Sequence, residues 1–149
     1  MEEVFGVLVD NHGDLIITGA STSVNFPLSN EYQTFQGVYD VYICKMDKSG
    51  QQLEFSTYYG GSQHEFCVGS IVDTSNNDII LFGHTGSLDF PVVNAYQDIH
   101  NGGRYDDMFL CKFSITDTSN ARINPLFLIS SISVTMLLMV FTRKSKMAR

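Results

Sequence analysis

Gly19-Ala-Ser-Thr-Ser-Val-Asn-Phe-Pro27 returns 64 positions later as Gly83-His-Thr-Gly-Ser-Leu-Asp-Phe-Pro91. Around this pair other matches line up. Tyr32-Gln33 returns as Tyr96-Gln97, Val9-Asp10 as Val72-Asp73, and Asp40-Val-Tyr-Ile-Cys-Lys45 as Asp107-Met-Phe-Leu-Cys-Lys112. A period of this length marks a repeat architecture, in which each unit is one supersecondary element that buries its apolar face by stacking on a neighbour.

Within one period the apolar runs are short and bounded by turn residues. Val4 to Asp10, Asp14 to Gly19, Tyr39 to Met46 and Leu53 to Tyr59 read as strands. Asn11-His12-Gly13 and Asp47-Lys-Ser-Gly50 supply turn chemistry between them, and residues 20–38 form a long polar loop. The cycle restarts with Phe66 to Asp73, Asp78 to Gly83 and Met108 to Phe113, and no counterpart of the Leu53–Tyr59 strand follows Phe113. Four antiparallel strands per repeat is the composition of a β-propeller blade; a β-helix would need a much shorter period. The expected fold is all-β, about one and three-quarter four-stranded antiparallel blades. Residues 1–65 make the first repeat and 66–113 the second, incomplete one.

The linked motifs Thr85-x-Ser87-x-Asp89-Phe90-Pro91, Ala95-Tyr96-Gln97, Gly102-Gly103-x-x-x-Asp107-x-Phe109-x-x-Lys112 and Ser56-Thr57-Tyr58-Tyr59-Gly60-Gly61 resemble the SBBP-type β-propeller repeat. The first repeat departs from that pattern at Asn25 and at Ala20-Ser21. The resemblance covers about residues 6–113. It implies a propeller in an exported or surface protein, with no common activity and no catalytic residues to carry over. The residues that mark the repeat are Gly19, Phe26, Pro27, Tyr32, Asp40, Lys45, Gly60, Gly61, Gly83, Phe90, Pro91, Tyr96, Asp107 and Lys112. Their recurrence points to scaffold, with Phe26 and Phe90 as wedges in the apolar seam between blades.

After a polar linker, residues 114–122, Ile123 to Thr142 contains no charged residue. Twenty residues of helix rise about 30 Å, the thickness of a bilayer core. Pro125 suits the first turn of such a helix. Arg143, Lys144, Lys146 and Arg149 close the chain, so a transmembrane helix over 123–142 and a basic cytoplasmic tail over 143–149 are expected, with the propeller segment outside. All 16 acidic residues and five of the nine basic ones precede Ile123, a net charge of −11 that argues against nucleic-acid binding.

The N-terminus lacks the basic and long apolar regions of a signal peptide, and fewer than three repeats seldom bury a continuous core. Both point to the C-terminal piece of a longer exported protein. The rivals are a short chain whose copies assemble laterally into a ring, and a cytosolic domain on a tail anchor. Further blades, from the same longer chain or from other copies, are therefore the expected partners.

No cofactor, metal site or catalytic centre is expected. Asp10-Asn-His-Gly-Asp14 and Asp73-Thr-Ser-Asn-Asn-Asp78 are oxygen-rich, but they lack the spacing of a calcium loop and read as hairpin turns. Asp89, Asp98, Asp106 and Asp107 form a second acidic group. His64-Glu65 is half of a zinc motif without its second histidine. Cys44, Cys67 and Cys111 fit no zinc spacing and read as buried apolar residues. The function expected is a membrane-anchored, extracellular binding or adhesion scaffold for a carbohydrate or protein. The alternatives are part of a propeller hydrolase or lyase acting on extracellular polysaccharide, and a truncated reading frame without independent function.

Overall fold

Eight antiparallel strands form two four-stranded sheets in a computed structural model that describes residues 1–100 and 106–115, with the backbone alone over 121–129. The first sheet has the order β1 (Glu2–Val9), β2 (Leu15–Ser21), β3 (Asp40–Met46), β4 (Leu53–Tyr59). The second repeats it with β5 (Glu65–Asp73), β6 (Asp78–Thr85), β7 (Asp107–Ile115) and β8 (Ala121–Ile129). No cis peptide bond occurs among the described residues.

The repeat extends to irregularities that composition does not reveal. A bulge interrupts β1–β2 pairing between Val4 and Gly6, and the same bulge interrupts β5–β6 between Cys67 and Gly69. Bulges bend a strand and increase its twist, so both sheets are bent at one place. Beside each bulge lies a glycine with no room for a side chain. A Cβ on Gly19 would sit 2.0 Å from the Glu3 carbonyl oxygen and 2.6 Å from the Tyr42 ring. One on Gly83 would sit 2.0 Å from the Phe66 carbonyl and 2.8 Å from the Phe109 ring.

The second sheet has a fourth strand, β8. β8 takes residues assigned from sequence to the linker and to the opening of a membrane helix. An apolar run such as Leu126-Phe-Leu-Ile129 carries no period that separates strand from helix, and without it the outer edge of β7 would present unpaired backbone groups. Pro125 and Leu126 together oppose Cys111, the bulge in the β7–β8 ladder between Leu110 and Lys112. Bulges are where a strand accommodates a residue with no N–H to donate. Residues 130–142 of the expected helix, and the basic tail, lie outside the described residues. No helix among the described residues is long and apolar enough to cross a membrane.

Each sheet has two faces, and one face of the first packs on one face of the second. The first contributes Ile16, Val41, Ile43, Phe55 and Tyr59; the second contributes Cys67, Ile79, Leu81, Phe109, Cys111 and Phe113. Thr18 and Ser70 hydroxyls, 2.7 Å apart, close a polar gap within this seam. The opposite face of the first sheet is covered by its own long loop, where Phe26, Leu28 and Phe35 pack on Tyr42, Cys44 and Tyr58. All three cysteines are buried and free, as the sequence indicates. Because Phe113 is fully buried and stands edge-on to Tyr59 at 5.1 Å, Phe113→Ala is expected to lower the unfolding free energy by about 3–5 kcal/mol in urea titration. A loss below about 1 kcal/mol would mean that the seam is not the core.

Candidate functional site

At the end where β2 and β6 finish, the junction between the sheets gathers Asp40, Gly60, Gly61, Phe90 and Pro91 from among the repeat-marking residues. Asp40 opens β3 and Glu65 opens β5, and both are completely buried. Asp40 Oδ2 accepts hydrogen bonds from the backbone N–H of Gln36 at 2.6 Å and of Gly37 at 3.4 Å. Glu65 accepts from Thr85 Oγ1 at 2.5 Å and from the Gly61 N–H at 2.9 Å.

The two acids converge on Gly60. A Cβ there would lie 2.5 Å from Glu65 Oε2 and 2.6 Å from Asp40 Oδ1. One on Gly61 would meet Ser87 Cβ at 2.5 Å. The Gly60-Gly61 pair is thus required by the close approach of side chains from both repeats. Gln33, from the repeated Tyr-Gln, clamps the same spot, donating from Nε2 to the Gly60 carbonyl at 2.7 Å. Its counterpart Gln97 instead donates to the Ile99 carbonyl at 3.1 Å.

Burial, opposed by the Gln36 N–H and reinforced by the neighbouring Glu65 carboxylate, pushes the Asp40 carboxyl up to about 6. Oδ1 of Asp40 has no hydrogen-bond partner among the described residues, so no donor offsets the cost of burying charge on that oxygen. These carboxylates bind the repeats to each other and are sealed from any substrate.

Phe90 and Pro91 join the two repeats directly. The Phe90 ring lies 5.0 Å from Tyr59 and 4.9 Å from Phe109, and the Tyr59 hydroxyl donates to the Pro91 carbonyl at 2.5 Å. Phe26 packs instead on the outer face of its own sheet, 4.6 Å from Tyr42 and 5.7 Å from Tyr58, with Pro27 exposed beside it. Tyr32 lies 6.4 Å from Tyr59 and is half exposed, and Tyr96 is largely exposed.

At the opposite end of the sheets, Lys45 and Lys112 form the same latch twice. Lys45 Nζ reaches Asp10 at 2.9 Å, Asp14 at 3.0 Å and Glu54 at 3.6 Å, while Lys112 pairs with Asp78. Burial works to raise the Asp10 carboxyl, but Lys45 and the backbone N–H groups of Asp14 and His12 outweigh it and hold it below the usual range. Asp10, His12 and Asp14 lie close enough together to hold a metal ion, yet the Lys45 ammonium already occupies the place between the carboxylates. The Asp10–Asp14 stretch is the hairpin turn its sequence suggests, with Asp10 Oδ1 accepting from the N–H of His12 and of Asp14.

One cluster escapes sequence reasoning. Asp106 is bracketed by His64 Nε2, 3.2 Å from both its oxygens, and by His84 Nδ1 at 2.8 Å, with the Phe66 ring against both imidazoles. Separations of 42 and 22 positions along the chain give no local signal for it. Among the described residues Asp89, Asp98, Asp106 and Asp107 do not converge as a group that could hold a metal; Asp89 accepts from the Ser62 N–H and hydroxyl. Asp107, the repeat mate of Asp40, is buried with His100 Nδ1 at 3.7 Å.

Comparison with protein-family models finds no match to this chain, and comparison with curated proteins finds none either.

Because the folded state raises Asp40, it binds more protons than the unfolded chain between about pH 4 and 6, so stability falls as pH rises through that window. Asp40→Asn keeps an acceptor for Gln36 and gives Glu65 a donor. The variant is expected to melt higher than wild type at pH 7.5 and to flatten the stability profile between pH 4 and 6. Identical profiles for the two proteins would contradict the raised Asp40.

Proposed function

We propose that the chain is a pair of SBBP-type β-propeller blades acting as a surface-displayed binding or adhesion scaffold, with no catalytic role of its own. The observation that carries this reading lies in the long loops. Each leaves the second strand of its sheet at the Asp40–Glu65 end, and each exposes apolar side chains at matching repeat positions. Val24 corresponds to Leu88 and Tyr32 to Tyr96, and all four are exposed. Two tyrosines held outward at equivalent places suit the apolar face of a sugar or a protein groove, since tyrosine offers contact area at low entropic cost. The polysaccharide-enzyme reading is weaker, because paired acids in glycoside chemistry must reach the scissile bond and the pair formed by Asp40 and Glu65 is sealed.

Display outside the cell, on a membrane helix over Ile123–Thr142 with the basic tail in the cytoplasm, is the second part of the proposal. Its support is the uncharged run and the four basic residues that follow. Its cost is β8: a bilayer span needs about 20 residues, so insertion would draw Ile123–Ile129 off β7.

The test is binding of fluorescently labelled chitin, cellulose and mannan fragments to intact cells expressing the full chain. Binding to at least one glycan is expected, reduced at least tenfold in a Tyr32→Ala/Tyr96→Ala variant. Binding in lysate but not to intact cells would overturn external display. Absence of binding in both, or binding indifferent to the double substitution, would overturn the glycan-scaffold reading.

A further inference from the structure

The register of the two sheets pairs every strand position in one with a position in the other. Ile16, flanked by Leu8 and Lys45, corresponds to Ile80, flanked by Ile71 and Lys112. In the same way Thr18 corresponds to Phe82, Val41 to Met108 and Ile43 to Leu110. On the first sheet these positions are sealed by the second sheet: Ile16 is 1% exposed, and Thr18, Val41 and Ile43 are 0%. On the second sheet Tyr39 and His64 reach the end of this face at Phe66, but Ile71 is 54% exposed, Phe82 39% and Met108 38%.

The complementary face shows the reverse. Cys67, Leu81 and Ile79 of the second sheet are 0–1% exposed against the first sheet. Their partners across the ladder, Ser70 and Val72, correspond to Val7 and Val9, and Cys67 corresponds to Val4. On the first sheet the long loop covers Tyr42, Cys44 and Tyr58 of this face, but among the described residues its β1 part is bare, with Val4 60% exposed, Val7 63% and Val9 58%. The loop residue Phe26 does not obstruct it, since its counterpart Phe90 sits inside the existing seam alongside the packed strands.

The molecule therefore carries both halves of its own internal interface, one half unfilled at each end. We propose that a second copy of this chain docks head to tail, laying its Val4–Val7–Val9 face on the Ile71–Phe82–Met108 face of the first. The contact has the register of the seam already formed within one chain, which is the argument for a copy of this chain as the occupant. It is heterologous, each copy offering a different face, so it propagates into a closed ring or an open stack. Exposed apolar strips on two faces of a sheet pair are the kind of surface that marks such contacts. The inference rests on the two-blade reading above, but not on any ligand.

Two substitutions at exposed positions test it, each adding one charge to one face: Val7→Asp and Phe82→Asp. In sedimentation velocity of the full chain in mild detergent, wild type is expected to run as concentration-dependent oligomers and each variant alone as a monomer. Mixing the two variants is the decisive arm. The Val7→Asp copy retains an intact second-sheet face and the Phe82→Asp copy an intact first-sheet face, so the mixture is expected to form a 1:1 heterodimer and nothing larger. Monomeric wild type at every concentration, or variants that oligomerise as wild type does, would overturn the proposal. So would a mixture that stays monomeric while circular dichroism shows both variants folded. A monomeric wild type that still binds glycan would leave the scaffold reading standing.

Discussion

The Tyr59 side chain occupies the point on which the two-sheet body depends. It ends β4 fully buried, stands edge-on to both Phe90 and Phe113, and donates its hydroxyl to the Pro91 carbonyl. One residue thus ties the last strand of the first sheet to the long loop and to the third strand of the second. Burying a tyrosine is favourable only if its hydroxyl finds an acceptor, and the acceptor here comes from the repeated Phe-Pro motif. The constraint behind it is general. A four-stranded sheet with apolar residues on both faces cannot seal itself, so each repeat exists to cover its neighbour.

Around that seam the repeated polar residues divide by end. At one end Asp40 and Glu65 press on Gly60 from two different sheets, so the glycine pair and the acid pair constrain each other. At the other end Lys45 and Lys112 each neutralise the acid that opens the neighbouring strand. Lys45 serves three carboxylates, and its charge accounts for an acidic turn that otherwise has the composition of a cation site. Burial opposes the charge of both partners, and the reciprocal ion pair prevails: Asp10 is held low and Lys45 is held high. Both ends are thus held by contacts within the fold.

Most of this fold was legible in the chain because its signals are local and occur twice. The strand limits follow from apolar runs between Asp, Asn and Gly turns, and the burial of Cys44 and Cys111 follows from their place in β-rich runs. β8 was not legible, because Ile123–Ile129 is apolar enough for a helix and only an unpaired β7 edge decides for a strand. The His64–Asp106–His84 cluster and the Asp40–Glu65 pair were hidden for another reason. Each is assembled from strand ends that the repeat brings together across distances at which sequence spacing carries no geometry.

The central claim, that the two repeats form one sealed body across this seam, is tested most directly by thiol labelling of the native full chain with residue-resolved mass spectrometry. Cys67 and Cys111 lie on the second sheet's inner face, each 1% exposed, and burial raises both thiols above their usual range. The account predicts that both label at one slow rate, set by global unfolding and accelerated together by urea. Labelling of either at the rate of an exposed thiol in native buffer would contradict it, since the sheets would then be parting without unfolding.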